Sequence, residues 1–349
     1  MAPLGDRDVG WPADDANGRG EPRPDSAIEV RRAGVDDLAE VLELAQASLK
    51  WRPEDPNEAF FRWKHFDNPA GISPMWVATA GPRLVGFRTF LRWRFRTSEG
   101  RVLDAVRAVD TATHPDFQGR GVFSRLTLGA LDDLRAEGVD FVFNTPNDQS
   151  RPGYLKMGWQ VVGRVPICIR PRGPQSVVRM IRSRLPAEKW SIDVDAGIPV
   201  EEALDDDHSL DRLLAATGVG AGIAGLTTDR TPAHLRWRYR FGPLHYRAVV
   251  ARGGPAAGLA VFRVRRRGSA LEAVLCELLA PQGGADLVAE IARATRADYV
   301  IAAGGPLPGS RMVNAPRLGP ILTWRGVADD AVLPPLAQWR LAMGDVELF

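Results

Sequence analysis

The sequence predicts an α+β (mixed α/β) fold that occurs twice along the chain. Stretches of alternating hydrophobicity, as in strands, are interleaved with stretches whose apolar residues recur every three or four positions, as in helices. Glycine- and proline-rich turns separate them. The order of elements before residue 172 returns after residue 191, and 349 residues is a length that suggests two domains.

Residues 1–27 are rich in Pro, Gly, Asp and Arg without apolar periodicity, so a disordered tail is expected. Residues 28–172 form the first domain. Ile28 to Arg32 reads as a strand, and Asp36 and Asp37 open a helix with an apolar face of Leu38, Val41, Leu42, Leu44 and Ala45. A second helical piece, Glu58 to Phe66, ends at Asp67-Asn68-Pro69. Met75 to Ala80 and Leu84 to Phe90 make a hairpin about Gly81-Pro82. Leu91 to Arg96 alternates apolar with basic, as a strand with one buried and one wet face should. Its arginines read as a solvated face ahead of a phosphate patch.

The strand Arg101 to Thr113 feeds the stretch on which the chain is organised, His114 to Arg125. An amphipathic helix follows, with Phe123, Leu126, Ala130 and Leu134 at spacings of three and four. Glycines therefore stand at a strand-to-helix turn. The first N–H groups of a helix have no partner inside it and lie at the positive end of its dipole, so such a turn receives anionic phosphate well. Gly119 and Gly121 let an anion approach the main chain. The spacing matches neither a Walker loop nor a dinucleotide-binding turn.

Gln118-Gly119-Arg120-Gly121-Val122-Phe123 resembles the pyrophosphate-arm motif of the GNAT superfamily of acyl-CoA-dependent N-acyltransferases, Gln/Arg-x-x-Gly-x-Gly/Ala. Phe123 departs from the pattern, which prefers a small residue there. The next block agrees with the resemblance. Val139 to Asn144 alternates like a strand, a turn Pro146 to Ser150 follows, then a short helix with a central Tyr154, and Gly158-Trp159 opens another strand. The opening Arg31-Arg32-Ala33-Gly34 followed by Asp36-Asp37-Leu38 is also typical of the family.

The resemblance implies two tandem GNAT folds, each a mostly antiparallel mixed sheet flanked by helices. It also implies acetyl-CoA, or a related short acyl-CoA, as donor and direct transfer to a primary amine. In the family the donor strand splays from its neighbour, and a main-chain N–H polarises the thioester carbonyl. Carried onto this chain, the donor strand is Val109 to Thr113, with Val109, Thr111 and Thr113 binding cofactor. Gln118 to Phe123 hold the diphosphate, with Arg120 and Arg125 reaching its oxygens. Asn144 and Asn147 either bond the pantetheine amides or cap the short helix. Tyr154 protonates the leaving thiolate. Asp110 is the candidate to take the amine proton, directly or through water, and an ion pair with Arg107 is the competing role. Glu99 and Asp104 are weaker candidates, and His114 reads as structural.

From Arg170 to Pro186 the chain is rich in Pro and Arg, and residues 173–190 read as a linker. Residues 191–349 echo the first domain. Leu235-Arg236-Trp237-Arg238 repeats Phe61-Arg62-Trp63-Lys64, and a hairpin about Gly253-Gly254-Pro255 repeats that at Gly81-Pro82. A strand Ala270 to Leu279, a helix Ala285 to Thr295 and a strand Asp298 to Ala303 complete the echo. Pro281-Gln282-Gly283-Gly284 lacks the full motif spacing and no equivalent of Tyr154 follows, so this half reads as a degenerate GNAT-like domain that shapes the acceptor site. The tail from Trp339 is apolar enough to dock. Two-domain GNAT proteins of this length resemble mycothiol synthase and the acetyltransferases encoded with bacterial polysaccharide genes, and the Trp…Gly-Asp ending fits the second group.

Composition narrows the alternatives. With 45 basic and 43 acidic residues the net charge is +2, so nothing global points to nucleic acid. No apolar run suggests a membrane span, no secretory signal is evident, and Cys168 and Cys276 read as buried free thiols, so a cytoplasmic protein is expected. His65, His208, His234 and His245 show no metal spacing, and no metal is expected. Three functions are weighed: an N-acetyltransferase acting on an amino sugar or another small amine, a non-catalytic CoA-binding or ligand-sensing protein, and an aminoacyltransferase using aminoacyl-tRNA. The phosphate turn argues against the third.

Overall fold

The computed structural model describes residues 28–49, 51–183, 186–217 and 225–347; the tail expected over 1–27 lies outside them. The first half runs β1 (Ile28–Arg32), α1 (Leu38–Ser48), α2 (Asn57–His65), β2 (Met75–Ala80), β3 (Arg83–Arg96), β4 (Val102–Thr113), α3 (Val122–Gly129), α4 (Leu131–Ala136), β5 (Phe141–Asn144), α5 (Arg151–Lys156), β6 (Gln160–Arg164) and β7 (Ile167–Pro171). The stretch 173–190, a linker by sequence, contains a helix, α6 (Pro174–Arg182). The second half runs β8 (Ile198–Pro199), α7 (Val200–Ala203), α8 (Asp207–Thr217), β9 (Leu226–Thr228), α9 (Pro232–Tyr239), β10 (Arg247–Val250), β11 (Leu259–Arg267), β12 (Ala270–Leu279), α10 (Ala285–Thr295), β13 (Tyr299–Ala303), β14 (Val313–Asn314), β15 (Ile321–Gly326), β16 (Trp339–Arg340) and α11 (Met343–Val346). No helix among the described residues is long and apolar enough to cross a membrane.

The predicted hairpin strand and the alternating stretch after it are one strand, β3. Residues Leu84 to Leu91 are buried without interruption and Leu91, Trp93 and Phe95 are buried alternately, so no turn signal separates them. The arginines between them face outward and pair with acids, Arg94 with Asp104 at 3.0 Å and Arg96 with Asp229 at 2.7 Å.

Two mostly antiparallel sheets result. The first is ordered β1-β2-β3-β4-β5-β15-β6, with β9 and β16 attached at β3, and the second β14-β7-β13-β12-β11-β10-β8. Within each, one central pair is parallel, β4 with β5 and β12 with β13. The sheets exchange strands across the expected boundaries. β15, from the second half, lies antiparallel to β5, while β7, from the first half, lies antiparallel to β13. The two swaps occupy equivalent places, as duplicated folds that completed each other's sheets would require.

The joint between the halves is a core. Buried residues from both halves, among them Phe60, Trp63, Phe95, Phe143, Trp237, Tyr239, Trp324 and Trp339, form one continuous apolar cluster. At its centre the repeated motif meets itself. Trp63 Nε1 donates to the Trp237 carbonyl at 2.6 Å, Trp237 Nε1 donates to the Trp63 carbonyl at 2.7 Å, and the rings stack with centroids 5.8 Å apart. The tail docks: Trp339, Met343, Gly344 and Asp345 are buried.

Candidate active site

The cleft arises where β4 and β5 part. They pair only over Ala105 to Arg107 and Phe141 to Phe143, and β4 continues to Thr113 with no strand of the described residues on that side. The opening, about 730 Å³, is lined by Val109, Asp110, Thr111, Thr113, Gln118, Phe123, Asn144, Asn147 and Tyr154, together with Leu49 and Trp51 from the end of α1 and the segment after it. Most of the residues singled out by sequence are thereby brought to one place.

At one end stands the glycine turn. Gly121 is the N-cap of α3, Gly119 and Gly121 both have φ of +75°, and nothing lies within 4 Å of where a Cβ would stand on either. A side chain there would be strained, and one reaching outward would fill the helix entrance. Gln118 Nε2 donates to the Thr113 carbonyl at 3.3 Å, which holds the turn against the end of β4. The Arg120 guanidinium lies 5.1 Å from the centre of the Phe117 ring. The Val122 side chain is buried in the apolar core under the sheet and only its main chain faces the turn. Arg125 does not face the turn as expected: its Nη2 donates to the Ile28 carbonyl at 2.7 Å and so ties α3 to β1. Phe123 does not crowd the turn either; its ring stands edge-on to Tyr154 with centroids 5.3 Å apart.

In the middle of β4 the ladder with β3 slips by one residue, and Asp110 is the extra one, with φ of +34°. A bulge re-aims the side chain and the amides around it. The Thr89 hydroxyl donates to the Val109 carbonyl at 2.9 Å, and the Thr111 hydroxyl donates to the Phe87 carbonyl at 2.9 Å, so both tie β3 to β4 beside the bulge. The Asp110 carboxylate turns toward α2. Its Oδ2 lies 2.7 Å from Lys64 Nζ and 2.8 Å from His65 Nε2, while His65 Nδ1 meets the Ser73 hydroxyl at 2.9 Å.

Burial alone would raise the Asp110 carboxyl, but Lys64 and His65 outweigh it and hold it well below the ordinary range. Burial pushes His65 down, leaving a neutral imidazole that donates from Nε2 to Asp110 and accepts at Nδ1. Arg107 is not the partner of Asp110. It turns to the tail and to β5's end, with Nη2 donating to the Val346 carbonyl at 2.6 Å and to Thr145 Oγ1 at 2.9 Å, and burial followed by Arg238 lowers it to about 9.

Asn144 and Asn147 are both engaged within the protein. Thr323 Oγ1 on β15 donates to Asn144 Oδ1 at 2.5 Å, so the second half orients a residue of the first half's cleft. Asn147 Oδ1 accepts from the Ser150 N–H at 2.8 Å and hydroxyl at 2.9 Å, which organises the entrance to α5. Tyr154, on α5, is buried, and its hydroxyl oxygen accepts from Arg88 Nη2 at 2.5 Å. Glu99 and Asp104 are distant from this arrangement: Glu99 takes a bond from Ser98 and Asp104 pairs with Arg94. His114 receives the Asp116 N–H at 3.3 Å and lies outside the cleft lining.

Sequence reasoning missed Lys64, His65, Ser73, Arg88 and Thr323. Charge inside an apolar run was the available signal, since Lys64-His65 follows Phe60-Phe61-Arg62-Trp63 and Arg88 interrupts Leu84 to Leu91. Behind Trp51 another cation is confined. Lys189 Nζ, from the stretch joining the halves, sits 4.0 Å from the Phe60 ring centre and 4.5 Å from that of Trp190, and burial lowers it to about 8.

The second sheet repeats the opening where β12 and β13 part, with a larger cavity of about 1200 Å³. Its cations and carboxylates neutralise each other, Arg230 binding Glu277 at 2.6 Å and Asp345 at 3.1 Å. Among the described residues, no cluster of three or more His, Cys, Asp or Glu could hold a metal ion.

Known proteins resemble this chain in part of its sequence and in its fold. The family described as "Acetyltransferase (GNAT) domain" matches residues 29–162. The first half of the chain carries a GNAT acetyltransferase domain. Mycothiol acetyltransferase of Rhodococcus jostii (strain RHA1) is 29% identical over 144 residues, 39% of this chain and 46% of that protein. The protein of the same name from Rhodococcus opacus (strain B4) is 32% identical over 114 residues, 31% of this chain and 36% of its own length. These matches thus span less than half of either relative. Solved structures share the GNAT fold over most of the chain. A probable N-acyltransferase from Enterococcus faecalis superposes with a TM-score of 0.61 at 12% identity, covering 86% of this chain and 73% of that one. A GCN5-related N-acetyltransferase from Kribbella flavida gives 0.58 at 15%, covering 86% and 71%.

Proposed function

We propose that this GNAT protein transfers a short acyl group from acyl-CoA, acetyl-CoA in the simplest case, directly to a primary amine. One observation carries the reading: a single cleft is lined at one end by Gln118 and Phe123, which flank an open glycine turn, along its side by the edge of β4, and also by a buried phenol and a carboxylate. In this reading the amides at Gly119 to Phe123 receive the diphosphate. Val109, Thr111 and Thr113 present main chain to the pantetheine, and the re-aimed amides about Asp110 polarise the thioester carbonyl. The amine attacks that carbonyl, the C–S bond breaks, and the thiolate takes the Tyr154 proton, an assistance worth roughly 10²- to 10⁴-fold for a general acid. Asp110 receives the hydrogen bond of the attacking amine through Oδ1, because both of its protein partners bind Oδ2. The surplus amine proton leaves along that bond to water.

The acceptor proposed is a small polar amine, an amino sugar among them. Because the curated relatives bear the name mycothiol acetyltransferase, mycothiol-related amines belong in any panel. A second reading, a CoA-binding sensor without turnover, is favoured by the neutralisation of Asp110 by Lys64. Calorimetry with acetyl-CoA and a thiol-release assay over an amine panel separate the two. The enzyme should bind acetyl-CoA and release CoA with at least one amine, whereas binding without release across the panel favours the sensor. Gly121→Glu, which places a charged side chain at the helix entrance, should abolish the heat of binding; unchanged binding there would remove the glycine turn from the assignment.

A further inference from the structure

We infer that Arg88 is a positioning residue for the proton transfer from Tyr154, supplying a buried positive charge that becomes fully paired only when the tyrosine gives up its proton. The inference rests on the acyltransferase reading and deepens it. Arg88 lies on β3 with no exposed surface. Its guanidinium carbon is 5.1 Å from the ring centre of Phe90, 5.4 Å from that of Phe123 and 5.2 Å from that of Tyr154. Among the described residues its one hydrogen bond goes from Nη2 to the Tyr154 hydroxyl oxygen at 2.5 Å, and Nε and Nη1 have no partner. Among the described residues no carboxylate pairs with it.

A buried cation without a counter-ion is costly, and aromatic faces offset only part of that cost. Other deeply buried arginines have more partners. Arg263 meets Glu347 at 2.9 Å, and Arg238 donates to the Tyr246 hydroxyl at 2.6 Å but also to the Gly344 and Glu347 carbonyls, whereas Arg88 is offered a neutral phenol alone. The geometry also has a direction. Because Nη2 donates to the phenol oxygen, the hydroxyl hydrogen is turned away from Arg88, and Tyr154 lines the cleft.

When the C–S bond breaks, its electron pair goes to sulfur and the thiolate takes the Tyr154 proton. The oxygen left behind is an anion held against a guanidinium in a water-poor site, so the attraction is far stronger after the transfer than before it. An interaction that grows along the reaction coordinate lowers the barrier and leaves donor binding untouched. Water returns a proton to the phenolate as CoA leaves, which closes the balance.

The test is a double-mutant cycle on the full chain, with Arg88→Met, Arg88→Lys, Tyr154→Phe and the Arg88→Met/Tyr154→Phe pair. Methionine fills similar volume and removes an unpaired buried charge, so R88M is expected to fold and to melt no lower than wild type. Expected results are a roughly 100-fold loss in kcat for R88M, an acetyl-CoA Kd within about twofold of wild type, and recovery to within about tenfold in R88K, which restores the charge. The double variant should be no worse than Y154F by more than about threefold, because the two residues act as one unit. Losses that multiply in the double variant, R88K as poor as R88M, or an R88M defect confined to acetyl-CoA binding would each overturn the assignment while leaving an active wild type. A wild type inert toward every amine would instead overturn the acyltransferase reading, and this inference with it.

Discussion

Asp110 shows how one residue's neighbours change its chemistry. It sits in a bulge with a left-handed backbone, which costs a non-glycine residue of order 1 kcal/mol, and it is held there by Lys64 and His65. Breaking a buried pair from one side is worse than removing both partners. Lys64→Met should therefore destabilise the protein by roughly 3–5 kcal/mol, and adding Asp110→Leu should restore part of that loss, as urea denaturation would read. Asp110→Asn keeps the shape but loses the charge that the proposed acyl transfer offers to the amine. It is expected to lower kcat about 10- to 100-fold while acetyl-CoA still binds, and an unchanged rate would remove Asp110 from the site.

His65 adds a pH dependence. Its folded pKa lies below its ordinary value of 6.5, so the contribution is complete above that pH and is lost as acid protonates the unfolded chain first. Between pH 7.5 and 5.5 the denaturation midpoint should fall, with a limiting slope of about 1.4 kcal/mol per pH unit for this site, and His65→Gln should flatten part of that slope. The Asp110 carboxylate, likewise depressed, loses its contribution only in stronger acid, below its ordinary value near 3.8.

At the scale of elements, α2 and α9 carry the same motif and meet through Trp63 and Trp237. The two exchanged hydrogen bonds and the stacked rings tie the helices into one unit, with Lys64 and His65 following directly on α2. Trp63→Phe and Trp237→Phe each break one of the two bonds and loosen the stack, so each should cost about 1–3 kcal/mol, with a coupling of at least 0.5 kcal/mol in the double variant. Additive losses would mean that the contact does not couple the helices. β15 has a comparable function for the cleft, since Thr323 holds Asn144. Thr323→Val leaves a buried acceptor without its donor, at a cost of about 1–3 kcal/mol in stability.

For the whole molecule, exchanged strands and a shared core make the halves interdependent. Residues 28–172 alone would lack β15, which separates β5 from β6, and would expose Phe95, Phe141 and Phe143. Unpaired edges and large apolar faces promote aggregation. That fragment is expected to be insoluble or oligomeric by size-exclusion chromatography, whereas the intact chain should unfold in one cooperative transition. A monomeric, cooperatively folded fragment would show that each half closes its own sheet.

Local order was legible where the code is local. Alternation in Leu91 to Arg96, the three-and-four spacing after Gly121, and the paired glycines before that helix depend on neighbours a few residues apart, and the observed elements fall there. The repeat Leu235-Arg236-Trp237-Arg238 pointed to a duplication, and the chain forms two mostly antiparallel sheets. Long-range partners were not legible. Nothing near Asp110 in sequence names Lys64 or His65, nothing near Asn144 names Thr323, and Arg88 looks like any strand arginine until Tyr154, 66 residues later, is folded against it. Which strand fills the gap beside β5 was likewise open, because β7 and β15 present similar apolar ladders and hydropathy does not distinguish the sheet in which each pairs. By itself the sequence determined most of the elements, the recurrence of the Trp motif and the glycine turn, since backbone preference and apolar spacing act over a few residues. Tertiary structure alone decided the protonation partners and the exchange of strands, since charge pairing and sheet edges act between atoms that only folding brings together.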